Sequence, residues 1–430
     1  MSNRAARAAL HALECIQKYN VSSSAAKRCT RKLAKLDAEI GYSAAFQREG
    51  HRELRVRILS VCCSCLVFLI GPLARAQGSD ESISRKADAY IAAEMQREKM
   101  PGLALGVMRD GKLIKAQGYG LSNVELNVAV KPESIFQTGS VGKQFTATAI
   151  LMLMEENKLA IDDKIAKYFP EAPAAWKEIT IRQMLTHTSG IPDYGSDENA
   201  KSGKIVDLRT DYTEDELVRR FIVLPLDFPP GSKWSYSNSA YVILGVLIHR
   251  ITGEFYGDFL EQRIFRLLHM DATHIISEEN IVANRSAGYR LVDGVLKNQE
   301  WVAPKLNTTA DGALYTNVLD MAKWDAALTG QTLLKKSSYE QMYTPVRLND
   351  GKTYPYGFGW GLAENNGHAV IEHSGSWQGF TTDISRYPGD HLSVVVLTNL
   401  DSAHAHPVKI AHAVAAMYIP DLHGDGDTAE

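Results

Sequence analysis

Residues 139–158 have the sequence GSVGKQFTATAILMLMEENK, an apolar stretch with helical spacing and high helix propensity. The pattern predicts a helix over 140–158 that begins at Ser140. Lys143 follows one helical turn later, so the two side chains are expected on one face of the helix. The N-terminus of this helix adds partial positive charge, which favours an oxyanion formed beside Ser140.

Ser140 and Lys143 form a Ser-x-x-Lys motif, which is weak when taken alone. A serine hydroxyl is a poor nucleophile until a nearby base removes its proton, and an unprotonated, desolvated Lys143 is suited to that task. The alternative is a helix-capping serine with a solvated lysine. Ser24-Ala25-Ala26-Lys27 also matches the pattern but lacks the glycine and the apolar helix around it. Further motifs must therefore decide between the two interpretations.

A second motif, Tyr-x-Asn, occurs twice in the chain. Tyr236-Ser237-Asn238 lies in a loop after Pro229-Pro230-Gly231 and just before a predicted helix, where a phenol and an amide can point into a cleft. The alternative for Tyr236 is a packed aromatic ring with a satisfied hydroxyl. Tyr315-Thr316-Asn317 precedes a predicted helix over 319–328, so Asn317 is better interpreted as its N-cap. Tyr236 and Asn238 are therefore the candidate site residues.

The third motif is His373-Ser374-Gly375, at the end of a strand predicted over 369–373. The edge of a strand beside a nucleophile presents backbone N–H groups, and Gly375 allows another segment to approach closely. The composition also fits an ordinary turn at a strand end.

The order of the predicted elements indicates a mixed α/β fold. Asp110-Gly111 predicts a hairpin near the start of the domain. Helices are predicted in the middle of the domain, over 180–188 and 239–252. Strands are predicted towards its end, over 369–373, 381–387 and 392–399, and a last helix follows over 407–418. The two ends of the domain are expected to meet in one antiparallel sheet flanked by helices, with a helical subdomain inserted between them.

Composition excludes several classes of function. Residues 1–76 are basic and the remainder is acidic, without the long basic block that nucleic acid or an anionic membrane would require. All five cysteines lie within the first 65 residues, so the main domain has no cysteine nucleophile, disulfide framework or cysteine-based zinc site. The expected partner is a small-molecule or peptide substrate, and not nucleic acid.

The N-terminal region has the pattern of an export signal. Arg55 and Arg57 precede an apolar run over 58–73, and Ala74-Arg75-Ala76 fits a cleavage site. We expect residues 55–76 to be a signal peptide that is cleaved before Gln77, which leaves no stable membrane span in a periplasmic or secreted protein. An uncleaved anchor is the alternative. Residues 1–54 are expected to be a non-native or disordered extension and residues 421–430 a disordered tail; a genuine extension of unknown purpose is the alternative for 1–54.

Other chemistries fit poorly. No Gly-x-Ser-x-Gly elbow surrounds Ser140, because Thr138 stands where the first glycine is needed. No phosphate-binding loop or dinucleotide fingerprint occurs. His404-Ala405-His406 lies near His412, but Val408 stands where a His-x-His-x-Asp motif needs its aspartate. We therefore expect solvated histidines there, and neither a metal nor a cofactor.

The three motifs in this order, spread across one domain, resemble the serine β-lactamase and penicillin-binding-protein superfamily. The chain is most similar to the branch that holds class C β-lactamases, D-Ala-D-Ala carboxypeptidases, D-aminopeptidases and related esterases. The resemblance covers 82–418, which predicts one hydrolase domain with its site between a helical subdomain and an antiparallel sheet. It includes four further stretches: LTHTSGIPDY (185–194), FPPGSKWSYSN (228–238), DGALYTNVLDMAKW (311–324) and HSGSWQGFTTDISRYPGD (373–390).

The resemblance also implies a role for each motif residue. Ser140 is implied as the nucleophile, Lys143 as its proton acceptor or relay, and Tyr236 as a second base and acid. Asn238 is implied to orient the substrate and Lys143. The strand edge and the oxyanion hole are implied to involve His373, Ser374, Gly375 and the backbone N–H groups of Ser140 and Ser376.

The chain departs from the β-lactamase pattern at His373, where most β-lactamases have lysine and the family's carboxypeptidases and D-aminopeptidases often have histidine. An imidazole with an ordinary pKa of about 6.5 is mostly neutral at pH 7 and gains charge as the pH falls. We therefore expect hydrolysis of small esters or D-amino-acid peptides, with weak action on β-lactams. The deacylating glutamate of class A β-lactamases has no obvious match. A true class C-like β-lactamase and a penicillin-binding, non-hydrolytic sensor or scaffold are the alternatives.

Overall fold

The computed structural model describes residues 81–422 except 197, 200–202, 204 and 402. The predicted signal peptide, the extension before it and residues 423–430 of the predicted tail lie outside the described residues. A helix over 81–98 (α1) leads into a hairpin of β1 (Gly102–Arg109) and β2 (Lys112–Asn123). Asp110 and Gly111 both have positive φ, at 52° and 69°, as the predicted tight hairpin requires.

One seven-stranded antiparallel sheet joins the two ends of the domain, as predicted. Its strands lie in the order β11-β12-β13-β14-β1-β2-β3. The remaining strands of this sheet are β3 (Val128–Ala129), β11 (Gly361–Asn365), β12 (His368–Trp377), β13 (Phe380–Tyr387) and β14 (Leu392–Thr398). The first long strand and the last pair directly, with Leu105 opposite Val396.

Both faces of the central strands β1 and β14 are buried, which explains their largely apolar sequences. Leu103 and Leu105 of β1 pack in the same core as α1 and the last helix, α9 (Pro407–Tyr418). Ala104 and Met108 project to the opposite face, into the larger core shared with the helical region. Alternate residues of one strand thus serve two helical layers, as the two-residue repeat of a strand dictates.

The helical region lies between β2 and β11 in the sequence. Its helices are α2 (Lys143–Glu155), α3 (Ile181–Leu185), α4 (Glu214–Ile222), α5 (Asn238–Thr252), α6 (Tyr256–Leu260), α7 (Val318–Thr329) and α8 (Lys336–Met342). Small sheets accompany them: β4 (Phe136–Gln137) with β8 (Leu314–Thr316) and β5 (His274–Ile275), β6 (Tyr289–Val292) with β7 (Val295–Asn298), and β9 (Val346–Arg347) with β10 (Thr353–Tyr354). The mixed α/β fold expected from the sequence is confirmed.

Several element bounds differ from the sequence prediction. The helix predicted over 140–158 begins instead as a 3-10 turn, Gly139–Gly142, and its α-helical part, α2, covers only Lys143–Glu155. Gly139 has a φ of +53°, a conformation that glycine adopts without strain. The helix predicted over 180–188 is the short α3, capped by Thr180 and ended before His187, which has a φ of 58°. The third motif lies inside β12 and not at its end, because Ser374 and Ser376 pair with Asp383 and Thr381 of β13.

Within the described part of the chain, no helix combines the length and the apolar character needed to cross a membrane.

Candidate active site

Ser140 lies on the 3-10 turn, where glycines bring three backbone segments together. A Cβ atom on Gly139 would lie 2.5 Å from the backbone nitrogen of Ser376. One on Gly375 would lie 2.0 Å from the carbonyl oxygen of Thr138 and 3.0 Å from the backbone nitrogen of Ser140. Such distances exclude any side chain at either glycine. The backbone N–H groups of Ser140 and Ser376 therefore lie on adjoining segments, as a shared oxyanion site needs.

Lys143 is fully buried at the start of α2, and three oxygen atoms surround its ammonium group. Its Nζ lies 2.9 Å from Ser140 Oγ, 2.7 Å from Asn238 Oδ1 and 2.6 Å from the backbone carbonyl oxygen of Asp311. Burial lowers the pKa of Lys143 to about 8, although the carboxylates of Asp311 and Asp193 oppose that shift. A neutral amine has two hydrogens for the two carbonyl acceptors, which leaves its lone pair facing Ser140 Oγ.

Two aspartates that the sequence motifs did not single out organise this group. Asp193 Oδ1 accepts hydrogen bonds from the backbone nitrogens of Asn238, at 2.8 Å, and Gly195, at 3.1 Å. The carboxylate of Asp311 accepts from the hydroxyls of Tyr194 and Thr309, while its carbonyl oxygen accepts from Lys143. Both lie in stretches that resemble the family, at 185–194 and 311–324. That resemblance was the signal available for them.

Tyr236 is partly buried beside the nucleophile. Lys143 Nζ lies 4.9 Å from the centre of its ring, and the ring of His187 lies 4.2 Å away on a tilted plane. Loss of water raises the pKa of the Tyr236 phenol, a hydrogen bond with Ser140 lowers it, and Asp311 and Asp193 raise it further. The hydroxyl therefore stays protonated and can serve as a donor next to Ser140.

The structure keeps Tyr315 apart from Ser140 and Lys143. Tyr315 is buried in β8, opposite Gln137 of β4 and His274 of β5. Asn317 caps α7, and its Oδ1 accepts a hydrogen bond from the backbone nitrogen of Asp320 at 2.8 Å. The N-cap predicted for Asn317 is thus confirmed.

His373 is 8% exposed, and both ring nitrogens have protein partners. Nδ1 lies 2.7 Å from the carbonyl oxygen of Ser374, and Nε2 lies 2.8 Å from the hydroxyl of Tyr356. Burial and the nearby Lys143 lower the pKa of His373 to about 4. The sequence-based expectation of a pKa near 6.5 is therefore corrected: the ring is neutral at pH 7, as expected, but it gains charge only in much stronger acid.

Strand β12 has an open edge beside the nucleophile. Its pairing with β11 ends where Gly361 faces Glu372, and within the described residues no strand pairs with 373–377 on that side. The side chains of Ser374 and Ser376 are exposed, whereas His373 and Gly375 are buried. A peptide can thus add its backbone along this edge.

Two adjoining cavities of about 700 Å³ each share Ser140, Tyr236 and Ser376 in their linings. The first is also lined by Asp193 and Asp401. The second lies against the beginning of α9, where residues 405–409 contribute to its lining. The nucleophile is therefore accessible from two sides.

The histidines near α9 contact three different carboxylates. His404 lies 3.2 Å from Asp401, His406 lies 3.0 Å from Glu98 and His412 lies 2.6 Å from Glu372, measured between side-chain nitrogen and oxygen atoms. The described residues contain no group of three or more potential ligands that could hold a metal ion. The side chains of His404 and His406 are 41% and 57% exposed, in line with the expectation of solvated histidines, whereas that of His412 is only 14% exposed.

The fold and the geometry around Ser140 are those of serine hydrolases of the β-lactamase and penicillin-binding-protein type. The chain belongs to the Beta-lactamase family, whose model matches residues 87–417. That span lies within the single domain predicted over 82–418.

Known proteins are similar over most of the same region. Penicillin-binding protein 4* of Bacillus subtilis (strain 168) is 31% identical over 306 residues, which are 67% of this chain and 66% of that protein. The chain thus spans just under two thirds of the length of that relative. The octameric penicillin-binding protein homologue from Pyrococcus abyssi has a TM-score of 0.69 at 29% identity, covering 79% of this chain and 78% of that one. A D-stereospecific amidohydrolase from Streptomyces sp. has a TM-score of 0.61 at 25% identity, covering 77% and 95%.

Proposed function

We propose that this protein is a serine hydrolase that cleaves amide or ester bonds through an acyl-enzyme on Ser140, with D-amino-acid peptides or small esters as substrates. The contact between Lys143 Nζ and Ser140 Oγ, at 2.9 Å inside a buried oxygen cage, carries this proposal. A buried lysine with a lowered pKa beside a serine is what an activated nucleophile requires.

In the proposed acylation step, neutral Lys143 takes the proton of Ser140 while Oγ attacks the carbonyl carbon of the substrate. The carbonyl oxygen gains the negative charge and is stabilised by the backbone N–H groups of Ser140 and Ser376. When the tetrahedral intermediate collapses, the bond to the leaving nitrogen or oxygen breaks. Tyr236 donates its proton to that atom, and Lys143 returns a proton to Tyr236.

Deacylation follows the same path with water in place of the leaving group. Tyr236 and Lys143 together accept a proton from the water, whose oxygen attacks the ester carbon, and Ser140 Oγ leaves and is reprotonated. Both residues therefore act in both halves of the reaction.

Electrostatics support the substrate class. A neutral His373 offers little attraction to the carboxylate of a β-lactam, and Asp193 and Asp401 add negative charge to the first cavity. Lys409, whose ammonium group lies 3.7 Å from a carboxylate oxygen of Glu94, lines the second cavity and is the lysine there that can attract a carboxylate. A short peptide with free termini has a positive amino terminus that suits the first cavity and a negative carboxyl terminus that suits the second. Similarity to a D-stereospecific amidohydrolase supports D configuration in the substrate.

A penicillin-binding role without rapid hydrolysis is the second candidate, and the similarity to penicillin-binding protein 4* favours it. A panel separates the two: a p-nitrophenyl ester, D-alanyl and L-alanyl amides and nitrocefin, each followed by product formation and by the mass of the intact protein. The proposal expects the ester or the D-amide to have the highest kcat/KM. Nitrocefin turned over far faster than either would identify a true β-lactamase, and a lasting adduct without product a sensor.

We further propose export to the periplasm or the medium, supported by the pattern over 55–76. N-terminal sequencing of the secreted protein is expected to begin at Gln77. Secreted material that retains residues before Ile58 would contradict this proposal.

A further inference from the structure

A continuous chain of buried hydrogen bonds links the second motif to the third. The backbone N–H of Ser237 donates to His187 Nδ1 at 3.1 Å, and His187 Nε2 lies 3.2 Å from the hydroxyl of Tyr356. That hydroxyl lies 2.8 Å from His373 Nε2, and His373 Nδ1 lies 2.7 Å from the carbonyl oxygen of Ser374. Ser237, His187, Tyr356 and His373 are all buried, so bulk water does not replace these partners.

Backbone groups at the two ends of the chain determine where its protons lie. Because Ser237 N–H is a donor, His187 Nδ1 is unprotonated and the neutral ring carries its hydrogen on Nε2. Because the Ser374 carbonyl is an acceptor, His373 carries its hydrogen on Nδ1 and its Nε2 is unprotonated. The Tyr356 hydroxyl thus accepts from His187 and donates to His373. The backbone groups at both ends thus imply the same donor-to-acceptor direction along the chain of hydrogen bonds. Every group in it has a partner while both imidazole rings are neutral.

We propose that His187 and Tyr356 are positioning residues that hold His373 as a neutral imidazole with its proton on Nδ1. The proposal rests on the proposed function, since it concerns the same reaction. This arrangement fixes which ring nitrogen of His373 donates and which accepts, and it keeps the ring uncharged. It also connects the edge of β12, through hydrogen bonds, to the loop that carries Tyr236.

Protonation of His373 disrupts this chain. A hydrogen on His373 Nε2 faces the Tyr356 hydroxyl, whose own hydrogen must then turn away. If it turned to the oxygen of Tyr241, with which Tyr356 also interacts, the hydrogen bond from Tyr356 to His373 would be lost. If it turned to His187 Nε2, that ring would have to carry its hydrogen on Nδ1, facing the N–H of Ser237. Two donors would then oppose each other next to Tyr236.

The groups around His373 come from several elements. Burial and the charge of Lys143 oppose its protonation, whereas the Ser374 carbonyl and Glu372 favour it. The hydroxyl of Tyr241 donates to the carbonyl oxygen of Leu185. The titratable neighbours are Lys143 on α2, His187 after α3, Tyr236 before α5, Tyr241 on α5, Tyr356 before β11 and Glu372 on β12.

Nitrogen-15 NMR of the histidine rings tests the tautomers directly in the full chain, with signals assigned from single-histidine variants. At pH 7 the expected result is opposite neutral tautomers, with the proton on Nε2 in His187 and on Nδ1 in His373. A proton on Nε2 of His373, or a charge on that ring above pH 6, would overturn the proposal. The spectrum does not depend on turnover, so it separates this inference from the proposed function.

Tyr356→Phe tests the functional consequence, with Tyr354→Phe as its matched control. Loss of the donated hydrogen bond removes a preference for the neutral ring, so the pKa of His373 should rise by about one unit. We expect kcat to fall roughly tenfold with a smaller change in KM. A misaligned His373 should weaken interactions made in the transition state more than those made with the bound substrate. Tyr354 stacks on Trp234 at 4.1 Å, a contact that phenylalanine keeps, so the control should match the wild type.

An unchanged histidine titration together with unchanged kcat in Tyr356→Phe would contradict the positioning role. Should that variant fail to fold, the tautomers of the wild-type protein still decide the question.

Discussion

The two Tyr-x-Asn segments share a sequence pattern but belong to different environments. Tyr236 and Asn238 precede and begin α5, where the phenol lies beside Ser140 and the amide oxygen lies 2.7 Å from Lys143 Nζ. Tyr315 lies in a small buried sheet, and Asn317 caps α7 through a hydrogen bond within its own helix. The same three-residue sequence pattern therefore has two different roles, because its side chains contact different groups in the two places.

Replacing the two phenols should give the largest contrast. Tyr236→Phe removes the proposed proton donor, and general acid–base assistance is typically worth about 10²–10⁴-fold, so kcat/KM should fall by that order. Tyr315→Phe should leave kcat/KM near the wild-type value, since its hydroxyl does not contact Ser140. The measurement is hydrolysis of the best substrate of the panel. Equal losses in both variants would show that the comparison is wrong.

The pH dependence should assign the ionising base. Burial lowers the pKa of Lys143 to about 8, so only roughly a tenth of it is neutral at pH 7. Since the neutral amine is the proposed base, kcat/KM should rise about tenfold from pH 7 and level off above pH 8 to 9. The rise should persist in Tyr315→Phe and in the residual activity of Tyr236→Phe. Activity that instead falls as the pH rises through 8 would mean that charged Lys143 is the active form.

The two asparagines should separate activity from stability. Asn238→Ala removes an acceptor from Lys143, and we expect roughly a tenfold loss of kcat. Asn317→Ala removes a helix cap, which should lower the free energy of unfolding by about 1 kcal/mol with little change in kcat. Kinetic assays and urea unfolding on the same preparations provide both readouts. A loss of activity in Asn317→Ala beyond its loss of folded protein would argue against a purely structural role.

Local signals in the sequence predicted several elements well. The last helix has the predicted bounds, Pro407–Tyr418, and α5 ends at Thr252 as predicted, where Gly253 follows in the left-handed conformation. The backbone carbonyl of Asp311 beside Lys143 was not predictable, because it comes from a segment distant in sequence and involves no side-chain pattern. Tyr356 was missed for the same reason. Strand β12 continues past Gly375 because β13 pairs with it, and that pairing overrides the turn-like composition of the motif.

Covalent labelling tests the central claim, that Ser140 is the nucleophile. The protein is treated with a fluorophosphonate or with penicillin, its mass is measured, and the modified peptide is sequenced. We expect one adduct per chain, located on Ser140, and none in a folded Ser140→Ala variant. A single adduct on Ser24, Ser189 or Ser376 that persists in Ser140→Ala would contradict the account.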